Sequence, residues 1–185
     1  MGRFRITIIS SILSFVLIAC GQTRDRVDIL PGTGLIINGD SILINRTTIE
    51  QLENILSIKA DSGFSIRIWD GFNEKTMEEV SGTELVKNIK FRTLDFEYVG
   101  ADSTSLKLNW VRISNSNDMD IMINEELKLG TLNPIILELF KQTSTDYVSD
   151  DHKTYNLYSH GVSFKLVDNA AGLMLDELSV HYTVK

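Results

Sequence analysis

The segment LIINGDSILI, residues 35–44, places two apolar triplets on either side of an Asn-Gly pair. Asn-Gly between apolar runs is typical of two-residue hairpin turns, whose backbone needs positive φ angles. The segment therefore predicts an antiparallel hairpin that opens the folded part of the chain.

A helix is predicted directly after the hairpin. Thr47 and Glu50 have the spacing of a capping box, in which each side chain accepts from the other residue's backbone N–H. Four apolar residues then recur at helical spacing, on one face of the predicted helix: Ile49, Leu52, Ile55 and Leu56. This pattern indicates a short amphipathic helix that packs on a sheet.

Strands dominate the rest of the first half. Phe64, Ile66 and Ile68 alternate with polar residues and Trp69, which is typical of a half-buried strand. Further alternating runs lie at 91–99 and 106–113. Before the first of these runs, Ser81 and Glu84 have the spacing of a capping box and precede three apolar residues. A short helix is therefore predicted within 81–90.

The second half repeats this order. Apolar residues at 121–123 and 127–129 flank Asn124-Glu125-Glu126, and Asn133 followed by Pro134 suits a helix start. At an offset of 85 residues, Ile42, Leu52 and Ile55 of the first half match positions 127, 137 and 140 of the second. The predicted fold is α+β, an antiparallel sheet with two or three short helices on one face. Two related hairpin–helix–strand halves would span 35–114 and 115–185.

The N-terminus has the features of an export signal. Arg3 and Arg5 precede an apolar run at 6–18, and Leu17-Ile18-Ala19-Cys20 ends the segment. An ordinary secretory signal and a membrane anchor are the alternatives. The run of about 13 residues is shorter than the roughly 20 that span a bilayer. Cys20 is also the single cysteine of the chain, so it has no disulfide partner.

The residues Leu17-Ile18-Ala19-Cys20 resemble the lipobox of bacterial lipoproteins. The resemblance implies that residues 1–19 are removed and that the Cys20 thiol is diacylated, which anchors the chain to a membrane of the cell envelope. Gly21 is not the Asp that retains such proteins in the inner membrane, which favours the outer one. Residues 20–34, polar and with a turn-like Pro-Gly-Thr-Gly, are predicted as the lipidated cysteine and a flexible tether.

The charge balance excludes one class of partner. The chain carries a formal charge of −7, and loss of the signal with Arg3 and Arg5 makes it −9. Nucleic-acid binding needs a basic surface that neutralises phosphates, so no nucleic-acid partner is expected. With Cys20 committed to lipid, the fold is held without a disulfide.

The layout of a short helix entered from a hairpin through a Thr-bearing turn is similar to small bacterial envelope lipoproteins. These are the outer-membrane assembly and beta-lactamase-inhibitor-protein types. Gly130-Thr131 and Asn45-Arg46-Thr47 carry the resemblance, but the Met before Thr and the Leu-Gly-x-Pro helix end of those families are missing. The resemblance implies an α+β fold and a protein partner, and it transfers no functional residue.

The candidate catalytic and metal-binding residues all have structural interpretations. His152 and His160 lie in predicted loops, and His181 lies on the outer face of the last strand. A calcium-loop spacing combines Asn115, Asn117, Asp118, Asp120 and Glu126, but Asp120 holds the position that needs Gly. The adjacent acidic pairs would point to opposite faces of a strand: Glu78-Glu79, Glu125-Glu126 and Asp176-Glu177. No metal or cofactor is therefore expected.

Trp69 and Trp110 could anchor an interface, but as strand aromatics they are predicted in the core. No nucleophile elbow or usable cysteine is present. These observations predict a non-enzymatic envelope lipoprotein with a protein-binding or structural role, of which an inhibitor or immunity function is one form. The alternative is an envelope hydrolase whose site the sequence does not reveal. An exposed apolar patch would favour the first, and a pocket with convergent titratable groups the second.

Overall fold

The computed structural model describes residues 25–73, 76–114, 119–123, 127–131, 133–140 and 146–183. The predicted signal, Cys20 and the candidate residues Asn115, Asn117, Asp118, Glu125 and Glu126 lie outside these ranges. The described chain is mostly β, which is broadly compatible with the predicted α+β class, and it forms two sheets.

The first half of the chain contains seven strands and one helix. In order they are β1 (Asp25–Leu30), β2 (Gly34–Ile37), β3 (Asp40–Leu43), α1 (Ile49–Leu56), β4 (Ser65–Asn73), β5 (Glu78–Phe91), β6 (Leu94–Gly100) and β7 (Lys107–Ser114). The second half contains β8 (Met119–Ile123), β9 (Leu127–Lys128), the short helix α2 (Asn133–Leu139), β10 (Tyr147–Val148), β11 (Thr154–Leu157), β12 (Val162–Asn169) and β13 (Gly172–His181).

A five-stranded sheet with the order β3-β2-β1-β8-β9 forms one layer of the fold. The predicted β2–β3 hairpin is confirmed, with Leu35 opposite Ile42. Asn38 and Gly39 have φ angles of 50° and 99°, as the primed turn requires. This sheet is not purely antiparallel, because its middle strand β1 pairs in parallel with β8.

β1 corrects the prediction of a flexible tether over 20–34. Residues 25–30 form the middle strand of the five-stranded sheet, with Val27 and Ile29 fully buried. In the sequence, β1 shows only two inward-facing apolar residues, Val27 and Ile29, among charged neighbours. Such a short alternation is a weak signal for a strand. Pairing with β2 on one side and β8 on the other stabilises it.

α1 begins one residue later than predicted. The N-cap is Thr48, whose hydroxyl accepts from the Gln51 backbone N–H at 3.2 Å, while Gln51 Oε1 accepts from the Thr48 N–H at 2.9 Å. Thr47 is instead buried, and its hydroxyl accepts from the Leu43 N–H at 2.7 Å. Thr47 therefore stabilises the end of the hairpin, and Glu50 takes no part in the capping box.

An eight-stranded antiparallel sheet with the order β10-β11-β12-β13-β7-β6-β5-β4 forms the other layer. Two four-stranded meanders meet through β7 and β13. The helix predicted within 81–90 is wrong, because these residues belong to β5. Pairing with β4 and β6 along the whole strand overrides the local helix signal.

The element order is the same in residues 34–114 and 119–181: a hairpin, a helix and four strands. Ile136 of α2 and Phe140, which directly follows α2, are buried and correspond to Leu52 and Leu56 of α1 at an offset of 84 residues, one less than the sequence alignment assumed. One buried apolar cluster contains residues from both sheets and both helices. The predicted single sheet is thus replaced by two packed sheets that share one core.

Candidate binding surface

The hairpin formed by β4 and the first part of β5, residues 65–73 and 78–86, lies at one end of the eight-stranded sheet. We call it the arm. Its two strands pair in register from Ser65 opposite Val86 to Asn73 opposite Glu78. Among the described strands, β4 pairs with β5 alone, so it forms the terminal strand of the sheet.

Three apolar side chains on the arm and just before it are exposed. We call them the apolar strip: Phe64, Ile66 and Ile68, with 46%, 71% and 75% of their surface accessible. Ile66 lies opposite Leu85, and Ile68 lies opposite Thr83. Directly opposite residues share a face, and so do alternate residues of one strand. Leu85 of β5 therefore lies on the same face as Ile89 of β5 and its opposite residue Phe96, which are both buried. The strip lies on this face.

The apolar strip therefore continues the core-facing side of the sheet. The packed core covers that side at β6 and β7, where Phe96 and Val111 are fully buried, but it leaves β4 uncovered. Sequence alternation correctly predicts the strand and the face, while the predicted burial of Ile66 and Ile68 is wrong. Contiguous exposed apolar side chains on a soluble domain are typical of interaction sites.

Acidic residues follow the strip toward the tip of the arm. Asp70 lies opposite Ser81, on the same face as Ile68. Glu79 lies two residues before Ser81 on β5 and shares that face, while Glu78 points to the other. All three carboxylates are exposed. One face of the arm thus carries an apolar strip at its base and two carboxylates, Asp70 and Glu79, toward its tip, where Phe72 lies opposite Glu79.

A polar network on the opposite, outer face fixes β4 to the sheet. Arg67 donates to Glu84 Oε1 at 3.1 Å and to the Glu97 carboxylate, which is only 3% exposed. Asn109 Nδ2 donates to the other Glu97 oxygen at 3.0 Å. The hydrogen bond that Arg67 donates to Glu97, together with the charges of both carboxylates, raises the pKa of Arg67. The guanidinium is thereby directed inward over the sheet, away from the free edge.

Lys87 holds the segment that leads into the arm. Its side chain is buried, and its Nζ donates to the main-chain carbonyl of Asp61 and lies 3.5 Å from that of Gly63. The ammonium also lies 4.7 Å from the centre of the Phe64 ring, within cation–π range. These contacts position Phe64 at the start of the apolar strip.

Neither tryptophan lies in the core, so the core prediction is wrong for both. Trp69 is exposed on the outer face of the arm and covers Gly82, where a Cβ atom would approach the indole to 2.6 Å. Trp110 is half-buried on the same face, with the Arg112 guanidinium 5.4 Å from its ring. Trp69 alternates with the exposed residue Ile68, and Trp110 alternates with the core residue Val111. A period-2 pattern does not indicate which of the two faces an aromatic occupies.

The three histidines lie on separate elements, as their sequence positions predict. His152 is in the exposed turn before β11, and His160 packs against the Phe140 ring at 5.7 Å. His181 lies on the outer face, with its Nε2 3.0 Å from Ser163 Oγ. Its Nδ1 lies 3.0 Å from the Tyr182 main-chain oxygen, which occupies the place of a triad carboxylate.

Metal-binding clusters of three or more His, Cys, Asp or Glu residues are absent from the described part of the chain. Of the residues with the calcium-loop spacing, Asp120 is described, and it lies in β8 with Lys128 Nζ at 2.7 Å. Two of the acidic pairs are described: Glu78 and Glu79 in β5, on opposite faces of the arm, and Asp176 and Glu177 in β13, where Glu177 lies opposite Lys165. The described carboxylates thus have strand or ion-pair roles.

Comparison with protein families, curated proteins and solved structures found no match for this chain. Within the described ranges, no helix is both long enough and apolar enough to cross a membrane.

Proposed function

We propose that this chain is a lipid-anchored protein of the bacterial cell envelope, without catalytic activity, that binds another protein through the arm. The observation that carries the proposal is the exposure of Ile66 and Ile68 on the core-facing side of the sheet. A buried interface would remove this apolar surface from water, at about 25 cal/mol per Å².

The arm is also built firmly enough to present such a surface. Arg67 ties β4 to β6 through Glu97, and Lys87 ties the preceding segment to β5. A surface held by buried polar contacts is ordered before binding, which reduces the entropy that association costs. The strip therefore has the chemistry of an interface and a rigid support.

Lipid anchoring through Cys20 rests on the lipobox resemblance and is tested by metabolic labelling with a fatty acid. The wild-type chain should incorporate label and fractionate with membranes, whereas Cys20→Ala should incorporate none. Persistent label in Cys20→Ala would refute the assignment of that residue. Separation of inner and outer membranes then tests the preference for the outer membrane that Gly21 suggests.

Partner binding is tested by placing a photo-crosslinking amino acid at Ile68 in cells. The matched control is Tyr147, which is 55% exposed in β10 at the other end of the same sheet. We expect a discrete crosslinked species from position 68 and none from position 147. Equal crosslinking at both positions, or none at 68, would contradict a specific surface on the arm.

An envelope hydrolase is the second candidate, and the Ser163–His181 contact is the observation that favours it. The Tyr182 carbonyl fixes His181 with Nε2 free to accept from Ser163, the tautomer that a general base needs. Ser163→Ala should abolish any hydrolytic activity if the dyad is catalytic. Under the binding proposal, the same variant retains the crosslink from position 68.

A duplication is proposed as the origin of the two halves. The shared order of hairpin, helix and four-stranded meander supports it, as does the pairing of the last strand of each half with that of the other. The outer hairpin of each meander differs in length between the two halves, and the arm is the longer of the two.

A further inference from the structure

We propose that β4 receives an extended segment of a partner protein as an additional antiparallel strand. The segment would carry basic residues at its N-terminal end, followed by apolar residues at every second position. This inference rests on the proposed function, because it specifies how the arm would bind. It assigns the recognition to the main chain of β4 together with one face of side chains, a mode known as strand addition.

The edge of β4 lacks the usual protection against pairing. Natural edge strands are commonly guarded by Lys, Pro, bulges or very short length. Residues 65–71 read SIRIWDG, without Lys or Pro, and pair with β5 in unbroken register. The single cation, Arg67, is directed inward toward Glu84 and Glu97. The unpaired side of this strand is therefore open to a further strand.

The order of side chains on the core-facing side defines the partner. Reading β4 from its base to its tip, the positions on this face are Phe64, Ile66, Ile68, Asp70 and then Phe72, which lies opposite Glu79 of β5. A strand added to an edge places its side chains beside those of its neighbour on the same face. Apolar residues would lie beside the strip, and a cation beside Asp70.

The direction of the partner follows from this gradient. β4 runs from its base to the acidic tip, so an antiparallel partner begins at the tip and ends at the base. Its basic residues must then be N-terminal to its apolar residues. A parallel partner would need the reverse order, so peptide polarity distinguishes the two arrangements.

A second copy of the chain fits this edge less well. Antiparallel pairing of two β4 strands centred on Ile68 would place Ile66 beside Asp70 of the other copy. It would also bring the acidic tip, with Asp70 and Glu79, toward the exposed Asp61 at the base of the other copy. Like charges brought together disfavour the pairing, whereas a basic segment complements the tip.

The test uses the full chain in detergent and three fluorescent peptides. The forward probe is Lys-Thr-Lys-Thr-Val-Thr-Val-Thr-Val, which places Lys beside Asp70 and Val beside the strip. The reversed probe has the same composition in the opposite order. The acidic probe replaces both Lys by Glu. Fluorescence anisotropy should show saturable binding of the forward probe and at least tenfold weaker binding of the other two.

Protein variants test the two ends of the surface. Asp70→Lys should weaken the forward probe at least tenfold and improve the acidic probe, while Asp150→Lys, a matched exposed carboxylate before β11, should change neither. Ile68→Ser should weaken both Lys-containing probes. Equal binding of forward and reversed probes, or no effect of Asp70→Lys, would overturn the inference.

Main-chain pairing is tested with N-methylated peptides. In an added strand, alternate residues direct their N–H groups toward the neighbour. N-methylation of the three Val residues, or of the four Thr residues, should therefore abolish binding in one case and leave it nearly unchanged in the other. Equal effects of both would show binding through side chains alone and would overturn strand addition.

These outcomes separate the inference from the function on which it rests. A crosslink from position 68 in cells without saturable binding of the forward probe overturns strand addition and leaves the arm as a protein-binding surface. Loss of both the crosslink and the binding of the forward probe overturns strand addition and the proposed binding function together. Sedimentation of the full chain in detergent adds a check, because a protein dimer that Ile68→Asp dissociates would assign the edge to a second copy instead.

Discussion

The two ends of the eight-stranded sheet are built from the same kind of hairpin and have opposite surfaces. At one end, β10 has two residues and β11 has four, and Tyr155 and Leu157 of β11 are buried. At the other end, β4 has nine residues and β5 has fourteen, and Ile66 and Ile68 are exposed. Both hairpins follow a short helix in their half of the chain.

The difference shows that strand length, rather than residue type, decides whether the apolar face is covered. The short hairpin ends where the packed core ends, so its inward side chains meet Phe164 and the core. The arm carries the same alternation beyond the covered part of the sheet. The additional length exposes an apolar face that buries nothing within the described chain, and this is the feature that a partner could use.

Removing one large side chain at each end of the eight-stranded sheet is the strongest test of this comparison. Phe164→Ala should lower the free energy of unfolding by about 3–5 kcal/mol, because the Phe164 ring is buried and stacks on Tyr155 at 4.7 Å. Ile68→Ala should lower it by less than about 1 kcal/mol, since Ile68 is largely exposed. Urea unfolding measures both. Similar losses for the two variants would show that the strip is packed rather than free.

Polar support at the two ends can be compared next. Arg67→Met should cost about 2 kcal/mol, because it leaves the buried Glu97 carboxylate without its charged donor. The control is Lys153→Met at the other end, where the partner Asp168 is exposed and the urea midpoint should barely change. If Arg67→Met also left the midpoint unchanged, the network on the outer face would contribute nothing to the arm.

The smallest expected effect concerns the helix that precedes the arm. Thr48→Ala should cost about 1 kcal/mol by removing the N-cap acceptor of α1. Ser41→Ala, at an exposed position in β3, should stay within about 0.5 kcal/mol. Thermal unfolding with calorimetry measures both variants. A neutral Thr48→Ala would show that packing of Leu52 and Leu56 holds α1 without its cap.

Local sequence signals predicted the elements whose cause is local. Asn38-Gly39 fixes the β2–β3 turn, since few other pairs accept positive φ at both positions. The spacing of Leu52 and Leu56 fixes α1, although the cap moved from Thr47 to Thr48. Around Ser81 and Glu84 the local sequence is compatible with both a helix and a strand. The sequence pattern favoured a helix, whereas the structure has β5 there.

The candidate surface could be predicted only in part. Alternation of Phe64, Ile66 and Ile68 identified a strand with one apolar face, and the sequence placed that face in the core. Trp69 and Trp110 were placed in the core by the same argument. Exposure of these residues depends on how far the other sheet and the helices extend over the first meander. That extent is set by packing between distant segments, so a local sequence pattern cannot predict it.

By itself, the sequence determined the hairpin, the first helix, the alternating strands β6 and β7 and the acidic charge. These follow from backbone preferences and from the periods of apolar residues, which act within a few positions. The tertiary structure alone decided that β1 lies between β2 and β8, that the two meanders join through β7 and β13, and that the arm extends past the core. Those features depend on pairings between distant segments, whose stability comes from burial shared across both halves.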